Sequence, residues 1–277
     1  MKERLDIILV KKGLFPSREK AKGSVMAGLV YVDGRRVDKP GAPVDIFSEI
    51  TVKEEACPYV SRGGLKLEKA LKTFDISPKG ARAADIGAST GGFTDCMLQK
   101  GAVSVLAVDV GYGQLDWKLR NDPRVINMEK TNIRYLDTDA IEGSLDLITI
   151  DVSFISLRLV LPVAARLLSH EGSILCLVKP QFEAGRDQVG KKGIVRDPSV
   201  HLQVLEKVCS YGAENGLFIC GLDFSPVKGT KGNIEYLMHL KKKPPQSRIT
   251  EEDMRRTVSL SHEMLSDIRA AGKGEKQ

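Results

Sequence analysis

From about Tyr59 on, helix-like stretches alternate with short apolar runs, and this alternation limits what the chain can build. The runs read ARAADIG, SVLAVDV, RVINM, LDLITIDV, SILCLVKP, FICGLDFS and IEYLMHL. Helical patterns fill 62–74, 91–100, 156–169 and 198–214. Such an order predicts βαβ units and a mainly parallel sheet, because parallel neighbours need a helical crossover between them. The last two runs are separated only by PVKGTKGN. That is too short for a crossover, so they are expected to pair as an antiparallel hairpin at one edge.

Four of the runs end on a charge: Asp85, Asp109, Asp151 and Lys179. Ligands of open parallel sheets bind outside the carboxyl ends of the strands. A lysine closing an apolar strand is costly unless it is paired or used. Four charged strand ends in one sheet therefore predict a shared crevice, with Lys179 at its rim.

The loop after Asp85 is Ile86-Gly87-Ala88-Ser89-Thr90-Gly91-Gly92-Phe93-Thr94. Glycines let a backbone approach a ligand closely at a helix N-terminus. The GxxxGG spacing departs from the GxGxxG of dinucleotide folds, which weighs against a nicotinamide oxidoreductase. An acid before the first glycine and another ending the next strand suit S-adenosylmethionine, which joins an amino acid to a ribose and has no pyrophosphate. The expected cofactor residues are Asp85, Gly87, Ser89, Thr90, Gly91, Gly92, Phe93 and Asp109, with Asp109 accepting from the ribose hydroxyls. Asn132, after the third strand, lies where a contact to the adenine would fall. For the loop the alternative is an ordinary strand-to-helix turn. For Asn132 it is a turn closed by its own side chain.

The net charge of +6 is unevenly placed. Residues 1–40 hold ten Lys and Arg against five Asp and Glu, and the rest of the chain 32 against 31. The local excess points to a polyanion-binding face. Here Leu5 to Lys12 reads as a short amphipathic helix stopped by Gly13. A second helix opens with Ser17 as N-cap, buries Ala21, Val25 and Met26, and ends at Gly28. LVYVDGRRV reads as a hairpin turning on Asp-Gly, and DIFSEITVK as a final short strand pair.

These residues carry a resemblance. RLDIILVKKGLFPSREKAKGSVMAGLVYVDGRRV resembles the S4 RNA-binding domain, with its SRxxA helix, the glycine before the strand and the VxVDG turn. The resemblance implies a basic face for structured RNA, for which Arg4, Lys11, Lys12, Arg18, Lys20, Lys22, Arg35 and Arg36 are candidates. Farther on, Ser61-Arg62-Gly63-Gly64-Leu65-Lys66-Leu67, Asp151-Val152-Ser153-Phe154, the Lys179 stretch and Asn233-Ile234-Glu235-Tyr236 follow in order. They resemble the lysine–aspartate–lysine–glutamate tetrad of FtsJ-like ribose 2′-O-methyltransferases. With the S4-like module in front, nearly the whole chain is similar to the TlyA, or hemolysin A, family.

That resemblance implies an α/β fold: a Rossmann-like S-adenosylmethionine-dependent methyltransferase sheet preceded by a small α+β S4 domain. It places the domains at 1–58 and 59–277. It implies methylation of cytidine 2′-hydroxyls in ribosomal RNA, so that ribosomal RNA or ribosomal subunits are the partners and S-adenosyl-L-methionine the cofactor. Lys66, Asp151, Lys179 and Glu235 match the tetrad, and Arg62 is a further RNA candidate. The chemistry agrees. A ribose hydroxyl is a poor nucleophile, attack on a sulfonium methyl is an in-line displacement governed by positioning, and a proton must leave. Burial or a nearby cation favours the amine form of a lysine, so Lys179 is the expected base or lone-pair guide beside Lys66. Asp151 and Glu235 would orient the amines. The loop from Gly185 to Arg196, rich in Gly and Lys, reads either as a lining of the RNA entrance or as a mobile surface loop. The linker Ala56-Cys57-Pro58-Tyr59-Val60 departs from the family's Arg-x-Trp-Val pattern, with Tyr59 in place of its aromatic.

The tail from Arg248, with TEEDMRRTVSLSHEMLSDIRA, reads as one more amphipathic helix, capped by Thr250 with Asp253 at the third position. It matches longer members of the family, expected to act on both ribosomal subunits. No apolar run reaches membrane-span length and MKERLDIILVKKG lacks a signal-peptide core, so a cytoplasmic protein is expected. Five scattered cysteines without a CxxC pair read as small core residues, and the four histidines show no metal-ligand spacing. Against a methyltransferase stand a non-catalytic RNA-binding assembly factor and a cytolysin, the latter suggested by the hemolysin label alone.

Overall fold

The computed structural model describes residues 2–26, 28–52, 57–229 and 231–266. Ala56 of the linker, Thr230 of the last hairpin loop and residues 267–270 of the expected C-terminal helix lie outside the described residues. The chain divides into two compact units, Met1–Cys57 and Pro58–Gln277.

In the first unit β1 (Lys2–Arg4) leads into α1 (Leu5–Lys11), and α2 (Arg18–Met26) follows. The Lys20 N–H donates to Ser17 Oγ at 3.3 Å, which makes Ser17 the cap. Strands β2 (Val30–Val32) and β3 (Arg35–Arg36) form the hairpin. Asp33 and Gly34, at φ 49° and 74°, take the left-handed pair that a two-residue turn needs. Strands β4 (Pro43–Asp45) and β5 (Ile50–Val52) do not pair with each other as expected. They join β1 and β2, whose edges lack partners otherwise. Leu5, Ile8, Leu9, Phe15, Ala21, Val25, Val30, Val32 and Val44 form the core. Met26, expected inside, is 65% exposed. Ala21 and Val25 share one helix face, and the next residue points roughly 100° away from it.

The second unit runs α3 (Gly63–Thr73), β6 (Arg82–Ile86), α4 (Gly92–Gln99), β7 (Ser104–Val108), α5 (Trp117–Arg120), β8 (Val125–Met128), β9 (Leu145–Ile150), α6 (Leu161–Leu167), β10 (Leu168–Val178), α7 (Pro180–Glu183), α8 (Pro198–Glu214), β11 (Phe218–Phe224), β12 (Tyr236–Lys241) and α9 (Glu251–Ser266). The sheet order is β11-β12-β10-β9-β6-β7-β8. Strands β6 to β10 are parallel, and β12 runs against both β10 and β11. The expected hairpin thus forms with β11 at the edge. Apolar residues from one face of the sheet, among them Ile148, Ile150, Ile174, Val178, Tyr236 and Met238, form the main core with α6, α8 and α9.

The expected helix at 156–169 is broken. A 3-10 turn spans Leu157–Leu159, α6 starts afresh with a proline in its first turn, and β10 already begins at Leu168. Helix α9 has its predicted cap: Asp253 accepts from the Thr250 N–H at 2.8 Å while the Asp253 N–H donates to Thr250 Oγ1 at 3.2 Å. Cys96 and Cys176 are buried, and Cys57, Cys209 and Cys220 half-buried. Among the described residues no helix is long and apolar enough to cross a membrane.

Register decides what meets at the carboxyl edge. Ile86 lies beside Val108 and Ile150, so Gly87, Asp109 and Asp151 emerge together. The reversed β12 pairs Tyr236 with Val178. Its first residues therefore arrive where β10 ends, which brings Glu235 level with Lys179. The chain order turns outward in both directions from β6 and β9, the place where such sheets open a crevice.

Candidate active site

A cleft of about 830 Å³ opens at this edge, lined by Lys66, Asp151, Lys179 and Glu235. The four form two ion pairs. Lys66 Nζ donates to Glu235 Oε2 at 2.6 Å, with side chains 12% and 3% exposed. Lys179 Nζ stands 2.5 Å from Asp151 Oδ1 and donates to Ser153 Oγ at 3.0 Å. The Asp151 contact is one of charge at close range, since Oδ1 lies outside hydrogen-bonding geometry. Lys179 is itself buried. It forms the cleft wall more than its rim, and pairing offsets the cost of its burial.

The glycine loop lines the same cleft through Gly87, Ala88, Ser89, Thr90 and Gly92. Its glycines make room for protein. A Cβ on Gly87, at φ 88°, would come within 2.6 Å of Asp151 O, and one on Gly92 within 2.2 Å of Ser61 Oγ. Gly91 turns away from the cleft and packs under Leu115 and Leu119. Phe93 is buried and lies against Gly63. The segment ahead of α3 is held by the same helix: the Val60 N–H donates to Asp95 at 2.9 Å. The Tyr59 ring packs on Gly64, and its hydroxyl donates to Glu68 at 2.8 Å.

Asp85 is fully buried and accepts from the Thr94 N–H at 2.9 Å, Thr94 Oγ1 at 2.7 Å and Thr149 Oγ1 at 3.1 Å. All three donors are neutral. Burial outweighs them and pushes its carboxyl up to about 6. Asp109 accepts from the backbone N–H groups of Ser89 and Gly111, at 2.8 and 2.6 Å, and so ties the loop to the end of β7. Asn132 caps the 3-10 turn Ile133–Tyr135 by accepting from the Arg134 N–H at 3.2 Å. Asp109 and Asn132 stand outside the cleft lining.

Several cleft residues carry no expectation above, although the quoted stretches contain most of them. Phe154 has φ 64° and is 88% exposed, with its ring centroid 5.1 Å from that of Phe182. A bulky residue in left-handed backbone is strained by about 1–2 kcal/mol, and such strain gathers at functional sites. Gln181 lines the wall, and Asn233 holds the loop before α8: it accepts from the Val195 N–H at 3.0 Å and donates to Gly193 O at 2.8 Å. Their adjacency to the strand ends in KPQFE, DVSF and GNIEY was the available signal.

Arg62 lines the cleft. The other basic candidates lie in the first unit and divide by partner. Arg4 and Arg18 both reach the buried Asp6, at 3.0 and 2.9 Å, and the Arg4 hydrogen bond above all holds its carboxyl down near about 2. Lys11 pairs with Glu3 at 2.7 Å and Lys12 donates to Ser48 O at 2.9 Å. Lys20, Arg35 and Arg36 are exposed and Lys22 half-buried. The Arg36 guanidinium lies over Gly28.

Comparison with known proteins gives the family. Residues 59–242 match the FtsJ-like methyltransferase family and residues 3–50 the S4 domain. A Bacillus subtilis protein named "Putative rRNA methyltransferase YqxC" is 54% identical over 273 residues, 97% of either chain. The 16S/23S rRNA (cytidine-2′-O)-methyltransferase TlyA of Mycobacterium tuberculosis is 45% identical over 239 residues, 86% of this chain and 89% of TlyA. The solved structure titled "Putative hemolysin from Streptococcus thermophilus" superposes with a TM-score of 0.77 at 50% identity, covering 97% of this chain and 98% of that one. Fold and full-length similarity agree, and the chain belongs to the FtsJ-like methyltransferase family, in the form that carries an S4 domain ahead of the methyltransferase domain.

Proposed function

We propose that this protein transfers the methyl group of S-adenosylmethionine to the 2′-hydroxyl of a cytidine in ribosomal RNA. The observation that carries the reading is the pair of lysine–carboxylate contacts, Lys66–Glu235 and Lys179–Asp151, in one cleft beside the glycine loop.

The residues present fit the cofactor. Asp85 keeps a buried carboxylate at the cleft with neutral partners only, as expected of a group that meets a cationic ligand. The loop Gly87–Thr90 would hold the amino-acid end, and Asp109, with lone pairs left after its two backbone contacts, the ribose. When bound, the cofactor supplies an electrophilic methyl on a sulfonium. The protein positions the hydroxyl and removes its proton. Lys179 Nζ, in its amine form, is the acceptor for that proton. Asp151 and Ser153 fix the direction of the amine, and Lys66 adds positive charge to the cleft wall. Glu235 keeps Lys66 in place. Phe154 and Phe182 offer flat surface for a base, and the basic residues of the S4 domain supply contacts to phosphates that set affinity and register.

The test is transfer of tritiated methyl to each ribosomal subunit isolated without 2′-O-methylation. Label that leaves the modified linkage resistant to alkali supports the reading, and label in both subunits supports the wider substrate range expected of a chain that carries α9. Cofactor binding without any transfer would leave an RNA-binding assembly role.

A further inference from the structure

Every nucleotide carries the same 2′-hydroxyl, so Lys179 and its partners have nothing with which to choose a base. Choice requires a polar group that faces the base edge. Most buried polar side chains of the cleft are already used by the protein. Lys66 serves Glu235, Lys179 serves Asp151 and Ser153, Asp85 takes Thr94 and Thr149, and Asn233 holds the 193–195 loop.

Gln181 differs. It lines the cleft two residues past Lys179, and its Oε1 is buried with no hydrogen-bond partner. Asp151 Oδ1 is likewise outside hydrogen-bonding geometry, but an ammonium 2.5 Å away meets its charge. A buried orphan acceptor is costly, and at a functional site it marks where a ligand's donor belongs. The next residue, Phe182, packs at an interplanar angle of 52° against the exposed Phe154. A base lying on these rings would turn its edge toward the Gln181 amide.

We infer that Gln181 reads the base of the nucleotide being methylated, its Oε1 accepting a hydrogen bond from the cytosine N4 amine. The inference rests on the methyl-transfer reading above. Cytosine shows an amine donor beside the N3 acceptor, and a glutamine amide shows an acceptor beside a donor, so the two match as a pair. Uracil puts a carbonyl where cytosine has the amine and an N–H where cytosine has the N3 acceptor, so it would pair only with the amide turned through about 180°. The orientation in the structure, with Oε1 inside and without a partner, is the one that fits cytosine.

The experiment compares wild type with Gln181→Met, Gln181→Leu and Gln181→Glu on subunits whose mapped target nucleotide is kept as cytidine or replaced by uridine. Methyl-transfer rates are read beside melting temperature and cofactor affinity measured without RNA. Gln181→Met and Gln181→Leu should lower transfer to cytidine by about 10- to 100-fold and collapse the cytidine-to-uridine ratio, with cofactor affinity unchanged. Gln181→Glu keeps an acceptor for the amine but loses the donor that meets N3, so it too should lower transfer to cytidine and reduce the ratio. Met fills nearly the same volume as Gln, so a Leu variant that fails to fold leaves the Met variant to decide. A wild-type ratio in the apolar variant overturns the assignment, whatever the absolute rate. A loss of cofactor affinity that matches the loss of rate moves Gln181 to the cofactor and overturns it as well. Absence of transfer by the wild type would instead sink the methyl-transfer reading, and this inference with it.

Discussion

The carboxylate of Glu183 accepts the backbone N–H of Leu157 at 2.7 Å, and its other oxygen accepts from Ser156 Oγ at 2.6 Å. Glu183 closes the turn that begins at Lys179. Ser156 and Leu157 close the loop that begins at Asp151. The two segments are thus stitched at both ends, with the strained Phe154 held between. Replacing Glu183 by Ala should leave the Leu157 N–H without its acceptor and cost about 1–3 kcal/mol. It should also lower methyl transfer while cofactor affinity stays unchanged. Denaturant unfolding beside calorimetric titration checks both parts. An activity as high as wild type at equal stability would show that the stitch holds nothing the reaction needs.

Lys179→Ala is expected to fold and to bind S-adenosylmethionine, since Asp151 is 21% exposed and water can meet its charge. Transfer should fall by about 10²- to 10⁴-fold, the usual contribution of a positioned acid or base. Single-turnover rates at saturating cofactor measure this. Turnover within a few fold of wild type would remove Lys179 from the mechanism and leave the fold assignment intact.

Asp85 carries a pH signature. Its carboxyl holds a proton up to about 6 when folded and releases it near 3.8 when unfolded. Between those values the native state binds more protons, so this group's contribution to stability is full below 3.8 and is lost as pH rises through 6. The effect is at most about 3 kcal/mol. Asp85→Asn should therefore remove a slope of that sign from the stability curve of the wild type. His201 and His239, which burial depresses to about 4, act in the opposite sense between 6.5 and 4. They are present in both proteins and cancel in the difference. Guanidinium unfolding from pH 4 to 7 on the two proteins gives that difference, and cofactor affinity should fall in the variant at pH 7.

In the S4 domain the arginines should separate into two behaviours. Arg36→Ala should fold normally, weaken RNA binding and reduce the salt slope by about one, as for one phosphate contact. Arg18→Ala should instead destabilise the protein, because Asp6 stays buried with one guanidinium fewer. Filter binding over a range of salt, paired with thermal melts, tells the two apart. Equal melting temperatures would remove the structural role assigned to Arg18.

The parallel sheet was legible because its strands are bounded by turns and end on charges at matching places. The hairpin was legible because PVKGTKGN is too short for a crossover. Spacing does not say who pairs with whom. Lys66 could be matched to a motif, yet its union with Glu235 depends on β12 entering the sheet in reverse beside β10. The glycine loop reads as ligand-facing, while Gly87, Gly91 and Gly92 are needed where Asp151, Leu115 and Ser61 press against them. Those contacts come from elements distant in the chain. Met26 belongs to the same class of miss: an apolar residue one step off the buried stripe looks no different in the sequence.

Lys66 and Glu235 are 169 positions apart, one on the first helix of the methyltransferase unit and the other just ahead of its last strand. A chain still being made would have its glycine loop and Lys179 long before it had Glu235. The Lys66–Glu235 pair is therefore a late event in building the domain, followed by β12 and α9. On the proposed function, such an enzyme would stay inert toward the machine that synthesises it until most of its own chain has been made.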